Sequence, residues 1–277
     1  MSYNGSVINF IPFQNPMSEY QAITLVKHDR VATITLNRPS AANGLSLQLT
    51  TELAKAAHDC ANDNDLKAVI LTGAGRFFCA GGDINEMNES ADGPGNGVKR
   101  IADALHEALA VFAQMDIPII SAVNGTAAGA GFSIAISADL VLAAESSKFT
   151  MAYSKVGLSP DGSSSYYLPR LIGIRKTQEL MFTNRVLSSA EAYEWGLVTR
   201  VVADDELHAA SQKLAQSFVT GAKGSNAAIK NLLLQSFENN LVTQMALEGE
   251  TIANNADSAD GKEGIASFLE KRKPQFS

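Results

Sequence analysis

Residues 118–144 read PIISAVNGTAAGAGFSIAISADLVLAA. A mostly apolar strand over 118–124 passes into a glycine-rich turn, then into a short helical stretch from about Ala130, and then into a second mostly apolar strand over 139–144. Strands that are apolar on both faces and separated by a helix are the mark of a parallel sheet with crossover connections. Upstream, Leu47, Leu49, Leu53, Ala57 and Cys60 recur at helical spacing between Ser46 and Asn62. KAVILTG (67–73) is then a continuous apolar strand, and a helix is predicted from about Val98 to Met115. Ahead of these, AITLVKHDRVATITLN (22–37) alternates apolar and polar residues around HDR, which predicts an antiparallel hairpin turning near His28 to Arg30. The fold class is therefore α/β.

Downstream of about Pro160 the alternation of strand and helix stops. Apart from GLVTRVV (196–202), the pattern predicts consecutive helices, among them 205–220, 225–238, 241–256 and 260–272. The chain thus divides into an N-terminal arm (1–20), polar and aromatic without a period, an α/β core (21–203) and a C-terminal helical region (204–277).

The formal net charge of −7 disfavours nucleic acid or an anionic membrane as the main partner, so an anionic ligand has to be held locally. Cys60 and Cys79 show no CxxC or Cys/His ligand spacing, which suggests neither a disulfide framework nor a metal site and fits a reducing cytoplasm. No leader pattern and no apolar run approaching the roughly 18 residues of a membrane span is present. No GK[ST], GxSxG or HExxH occurs, and AAGAG lacks the GxGxxG spacing, so nucleotide-loop, hydrolase and metalloprotease readings fall away.

Three segments place glycines and small residues where a strand ends: residues 76–83 (RFFCAGGD), 124–131 (NGTAAGAG) and 157–162 (GLSPDG). Such strand ends are where ligands bind in α/β sheets. Together with NRPSAANGL (37–45), AEAYEWGLVTRVV (190–202) and FLEKRKPQF (268–276), their order and spacing resemble the crotonase, or enoyl-CoA hydratase/isomerase, superfamily from about Ala22 to Phe276. The resemblance implies a spiral of ββα units followed by a helical trimerisation region, and a homotrimer or dimer of trimers. It implies an acyl-CoA thioester as substrate and no cofactor beyond the coenzyme A that the substrate carries.

By position, the resemblance assigns the backbone N–H groups of Ala80 and Ala130 to an oxyanion hole. It assigns Ala42, Gly82, Asp83, Ile84, Gly129, Tyr153 and Pro160 to the substrate and CoA cleft. The two glutamates of the hydratases are matched here by Ser133 and Tyr153, hydroxyls that are poor bases. The one carboxylate in the neighbourhood is Asp161, which resembles the acid of the isomerase branch, including the ring-epoxide isomerases of phenylacetate breakdown. The expected reaction moves a double bond from 3-enoyl-CoA to 2-enoyl-CoA, with Asp161 carrying the proton.

Two alternatives stay open within the superfamily, hydration and a 4-chlorobenzoyl-CoA-type dehalogenation in which Asp161 attacks and His106 is the base; a third is a non-catalytic acyl-CoA binding module. Residues 91–97 (ADGPGNG) are flexible in composition and read as a partly ordered lid over the acyl site; the basic run 271–273 reads first as a solvated helix end, with contact to CoA phosphates the alternative that the resemblance implies.

Overall fold

The computed structural model describes residues 20–277. The expected arm lies outside them except for Tyr20, which is buried and donates its phenol hydrogen to Asp59 Oδ2 at 2.5 Å. The hairpin is where the alternation places it, as β1 (Ile23–His28) and β2 (Val31–Leu36). Asp29 and Arg30 turn it with φ of 48° and 64°, the sense that a two-residue hairpin loop requires. Helix α1 (Leu47–Ala61) follows, capped by Ser46, whose Oγ accepts the Leu49 N–H at 3.1 Å.

The chain then winds as a spiral. Strands β3 (Ala68–Gly73) and β4 (Phe77–Cys79) lead to helices α2 (Ile84–Asn88) and α3 (Pro94–Gln114). Strands β5 (Ile119–Val123) and β6 (Thr126–Ala128) lead to α4 (Ala130–Ser137). Strands β7 (Leu140–Ala144) and β8 (Lys148–Thr150) lead to α5 (Ser164–Thr183), which is broken at Gly173 with φ 76°. The first strand of each pair joins a six-stranded sheet, β1-β2-β3-β5-β7-β10, where β10 is Arg200–Val202. The second joins a four-stranded sheet, β4-β6-β8-β9, where β9 is Leu187–Ser188, followed by α6 (Ser189–Glu194). All pairings are parallel except β1 with β2 and β8 with β9.

The apolar strands are covered on both faces. Val69, Leu71, Val123 and Val141 point into the main core, which includes α1 and α3. Ala68, Ile70, Ile120, Ala122 and Leu142 point the other way, against Leu207 and Ala215 of α7 (Leu207–Val219). This double cover is why the strands show no polar alternation.

Beyond α7 run α8 (Lys223–Gln235), α9 (Leu241–Asp257) and α10 (Ala259–Leu269), close to their expected places. They leave large apolar side chains exposed, among them Leu233, Leu241, Val242, Phe268 and Leu269.

Helix α3 begins before the expected Val98. Of the segment read as a partly ordered lid, Pro94 to Gly97 form the first turn of α3, with Pro94 at the position where its missing N–H is harmless. Arg100 ties the preceding loop down through Asp92 at 2.7 Å and Ser90 Oγ at 2.8 Å. Among the described residues no helix is long and apolar enough to cross a membrane.

Candidate active site

The glycine-rich turns meet at the ends of β4 and β6. A Cβ on Gly81 would stand 3.0 Å from the Ala128 carbonyl oxygen, and one on Gly131 only 2.2 Å from that of Cys79. Backbone therefore packs on backbone here, which glycine alone permits. Between these turns, α3 and the 152–161 segment lies a cavity of about 270 Å³. Its apolar wall is the Val98, Ile101, Ala102 and Leu105 face of α3, and Ile84, Gly129 and Tyr153 also line it.

Which amides face this cavity follows from the hydrogen bonds around it. Leu45 N–H donates to Gly81 O at 2.8 Å and Asp83 N–H to Leu45 O at 3.0 Å, a short parallel bridge. Within the planar trans Gly81–Gly82 peptide the C=O and N–H point opposite ways, so the Gly82 N–H is turned away from Leu45. It has no acceptor among the described residues, and Gly82 lines the cavity. The Ala130 N–H opens α4, so it has no partner within the helix, and none elsewhere among the described residues. The dipole of α4 adds positive potential there.

Ala80 lines the cavity too, but its N–H donates to the Ala42 carbonyl at 3.1 Å. In this structure the amide that the resemblance assigns to the oxyanion hole is thus paired with Ala42, and that of Gly82 has no acceptor among the described residues.

Asp161 is the only carboxylate among the described residues lining the cavity. Its Oδ1 accepts the Tyr153 hydroxyl hydrogen at 2.7 Å, and Tyr153 Oη lies 3.1 Å from Ser133 Oγ. Burial, reinforced by the Asp161 charge, pushes the Tyr153 phenol far above its ordinary range, so it stays protonated and donates. Ser133 is fully buried. The two positions matched to the hydratase glutamates thus form one hydroxyl chain that ends on the single carboxylate. The sequence placed both residues near the site but gave no sign that they join.

His106 projects from α3 with Nε2 3.5 Å from Asp161 Oδ2, beyond hydrogen-bond range. Nε2 instead accepts the Gly162 N–H at 3.2 Å, which requires its lone pair, and the ring lines a separate hollow behind the carboxylate.

Of the remaining expected cleft residues, Asp83 caps α2 through the Glu86 N–H and pairs with Arg38 at 2.9 Å. Both line a neighbouring cleft of about 610 Å³ that shares Ile101 with the cavity. Ala42, in a left-handed conformation with φ 50°, and Pro160 line neither. Arg272, in the basic run that reads first as a solvated helix end, is engaged with Glu263 at 2.6 Å and 2.8 Å.

Two amides without acceptors and a single carboxylate, among the described residues, line this apolar cavity on a two-sheet spiral. The chain belongs to the enoyl-CoA hydratase/isomerase family, which it matches over residues 27–277. It is 39% identical to the 1,2-epoxyphenylacetyl-CoA isomerase of Escherichia coli (strain K12), over 89% of this chain and 95% of that one. It is 31% identical to 4-chlorobenzoyl coenzyme A dehalogenase-2 of an Arthrobacter species, over 89% and 90%. A crystal structure of an enoyl-CoA hydratase from Polaromonas sp. JS666 superposes with a TM-score of 0.89 at 32% identity, covering 93% of this chain and all of that one.

Proposed function

We propose that this family member isomerises an unsaturated acyl-CoA, moving the double bond of a 3-enoyl thioester to the 2-position. The observation that carries the reading is Asp161, the only carboxylate among the described residues lining the cavity, which Gly82 and Ala130 also line with amides that have no acceptor among those residues. Asp161 removes a proton from C2. The C–H electron pair enters a dienolate whose charge rests on the thioester oxygen, held by the two amides at roughly 3 kcal/mol each. The proton is then returned to C4, leaving the C2–C3 double bond conjugated, with no net gain or loss of atoms.

Hydration needs a second group to activate water. The matching positions carry Ser133 and Tyr153, hydrogen-bonded to each other, with Tyr153 donating to Asp161, which argues against it. The relative that acts on an epoxyphenylacetyl thioester supports isomerisation as well and adds a ring epoxide to the candidate substrates. The coenzyme A of the substrate lies, in this reading, along the Gly82–Ile84 cleft, and no cofactor beyond it is required. The exposed apolar faces of α8 to α10 fit packing against further copies as a homotrimer or dimer of trimers, and the buried free thiols of Cys60 and Cys79 fit a reducing cytoplasm.

The test compares wild type and Asp161→Asn on 3-enoyl-CoA, 1,2-epoxyphenylacetyl-CoA, crotonyl-CoA and 4-chlorobenzoyl-CoA. Isomerisation of either of the first two by wild type, falling by roughly 10³-fold in the variant, is the expected result. Chloride release would favour the dehalogenase alternative, in which His106 stands 3.5 Å from Asp161. Binding of CoA esters without turnover would leave only a binding module.

A further inference from the structure

The two oxygens of the Asp161 carboxylate have different surroundings. Oδ1 is held by Tyr153 Oη at 2.7 Å, a charge-assisted bond from a phenol that burial keeps protonated. Tyr153 Oη is held in turn by Ser133 Oγ at 3.1 Å. Oδ2 has no hydrogen-bond donor among the described residues. Its neighbour His106 Nε2 is 3.5 Å away, with its lone pair engaged by the Gly162 N–H at 3.2 Å.

We infer that Tyr153, backed by Ser133, is a positioning residue that fixes Asp161 so that Oδ2 alone removes the proton and the same oxygen returns it. The inference rests on the reading of Asp161 as the proton carrier. A carboxylate pinned at one oxygen cannot rotate to exchange its two oxygens, and the proton it has taken stays on the face of the dienolate from which it came. Tyr153 serves Asp161 and itself moves no proton, because its pKa is far too high. The titratable groups that face Asp161 are Tyr153 from the 153–156 turn and His106 from α3.

The test is the kinetics of Tyr153→Phe and Ser133→Ala on 3-enoyl-CoA, with Asp161→Asn alongside. Three readouts are taken: the split between kcat and KM, the pH dependence of kcat, and deuterium uptake at C4 in heavy water. Loss of one hydrogen bond to a charged group predicts a fall in kcat of roughly 10- to 100-fold for Tyr153→Phe, with KM little changed. The pH dependence of kcat should change with it. Solvent deuterium at C4 should rise, because an unpinned carboxylic acid exchanges its proton before returning it. Ser133→Ala should move all three in the same direction and less.

A merely structural role for Tyr153 would lower the yield of active enzyme while leaving the pH profile and deuterium uptake per turnover as in wild type, and that outcome overturns the inference while Asp161 keeps its role. A fully active Asp161→Asn would instead remove the underlying reading.

Discussion

Gly131 shows how much of the site is decided by single atoms. Its missing Cβ would sit 2.2 Å from the Cys79 carbonyl oxygen, and that atom is backbone of β4, the strand that carries Gly82 toward the cavity. Gly131→Ala must therefore push α4 and β4 apart, separating the two amides proposed to hold the oxyanion. The expected result is a loss of kcat/KM of at least about 10-fold, the scale of one weakened oxyanion donor, and a destabilisation of about 2 kcal/mol. Urea unfolding and steady-state assays measure the two together; normal activity and stability would mean that the turns are not in firm contact. At this scale the sequence was legible where chemistry needs a residue type. Glycine at a backbone contact and aspartate in a turn stand out in the chain itself. It was silent where a role belongs to a peptide group: whether Ala80 or Gly82 offers its N–H depends on a bridge to Leu45, far upstream, and neither side chain reports it.

Elements were read best where periodicity is strong and their cover is complete. The strands at 67–73, 118–124 and 139–144 show no polar alternation because the main core lies on one face and α7 on the other, and this was visible as predominantly apolar runs. The start of α3 was missed because Gly93, Pro94, Gly95 and Gly97 have the composition of a loop. Proline at the first helical position and the Arg100 clasp on Asp92 and Ser90 outweigh that composition.

The end of α10 supplies an element-scale prediction. Glu263 accepts two bonds from Arg272 and the Gln275 N–H at 2.8 Å, and these, Arg272 foremost, hold its carboxyl down to about 2. A carboxyl whose pKa is lowered by folding contributes stability that is present above its ordinary value of 4.5 and is lost as pH falls toward about 2. Hydrogen exchange at Gln275 should accordingly accelerate, relative to β3, as pH drops through that window. At neutral pH Glu263→Gln should make the Lys271 to Lys273 segment cleave faster with trypsin; equal rates for wild type and variant would show that the clasp does not hold the tail.

The whole molecule poses a question that a single chain answers only in part. Helices α8 and α9 were legible from their period, yet neither buries a residue fully. A sequence shows that a helix has an apolar stripe but not whether its cover lies in the same chain. Here Leu241, Val242, Phe268 and Leu269 remain 72–83% exposed, although residues of this type usually bury most of their area. Returning each to an apolar contact is worth roughly 1.5–3 kcal/mol. Several such side chains on each of three copies can offset the roughly 4–15 kcal/mol lost in translational and rotational freedom on association.

The expected outcome is that wild type sediments at micromolar concentration as three chains or a multiple of three, and that Leu241→Glu with Phe268→Glu shifts it toward the monomer. Because these positions lie on the exposed faces of α9 and α10, away from the cavity between β4, α3 and α4, the double variant should keep its folded far-ultraviolet signal. A wild type that sediments as a monomer across that range would mean that the apolar faces serve something other than self-assembly, and the trimer proposal would fail.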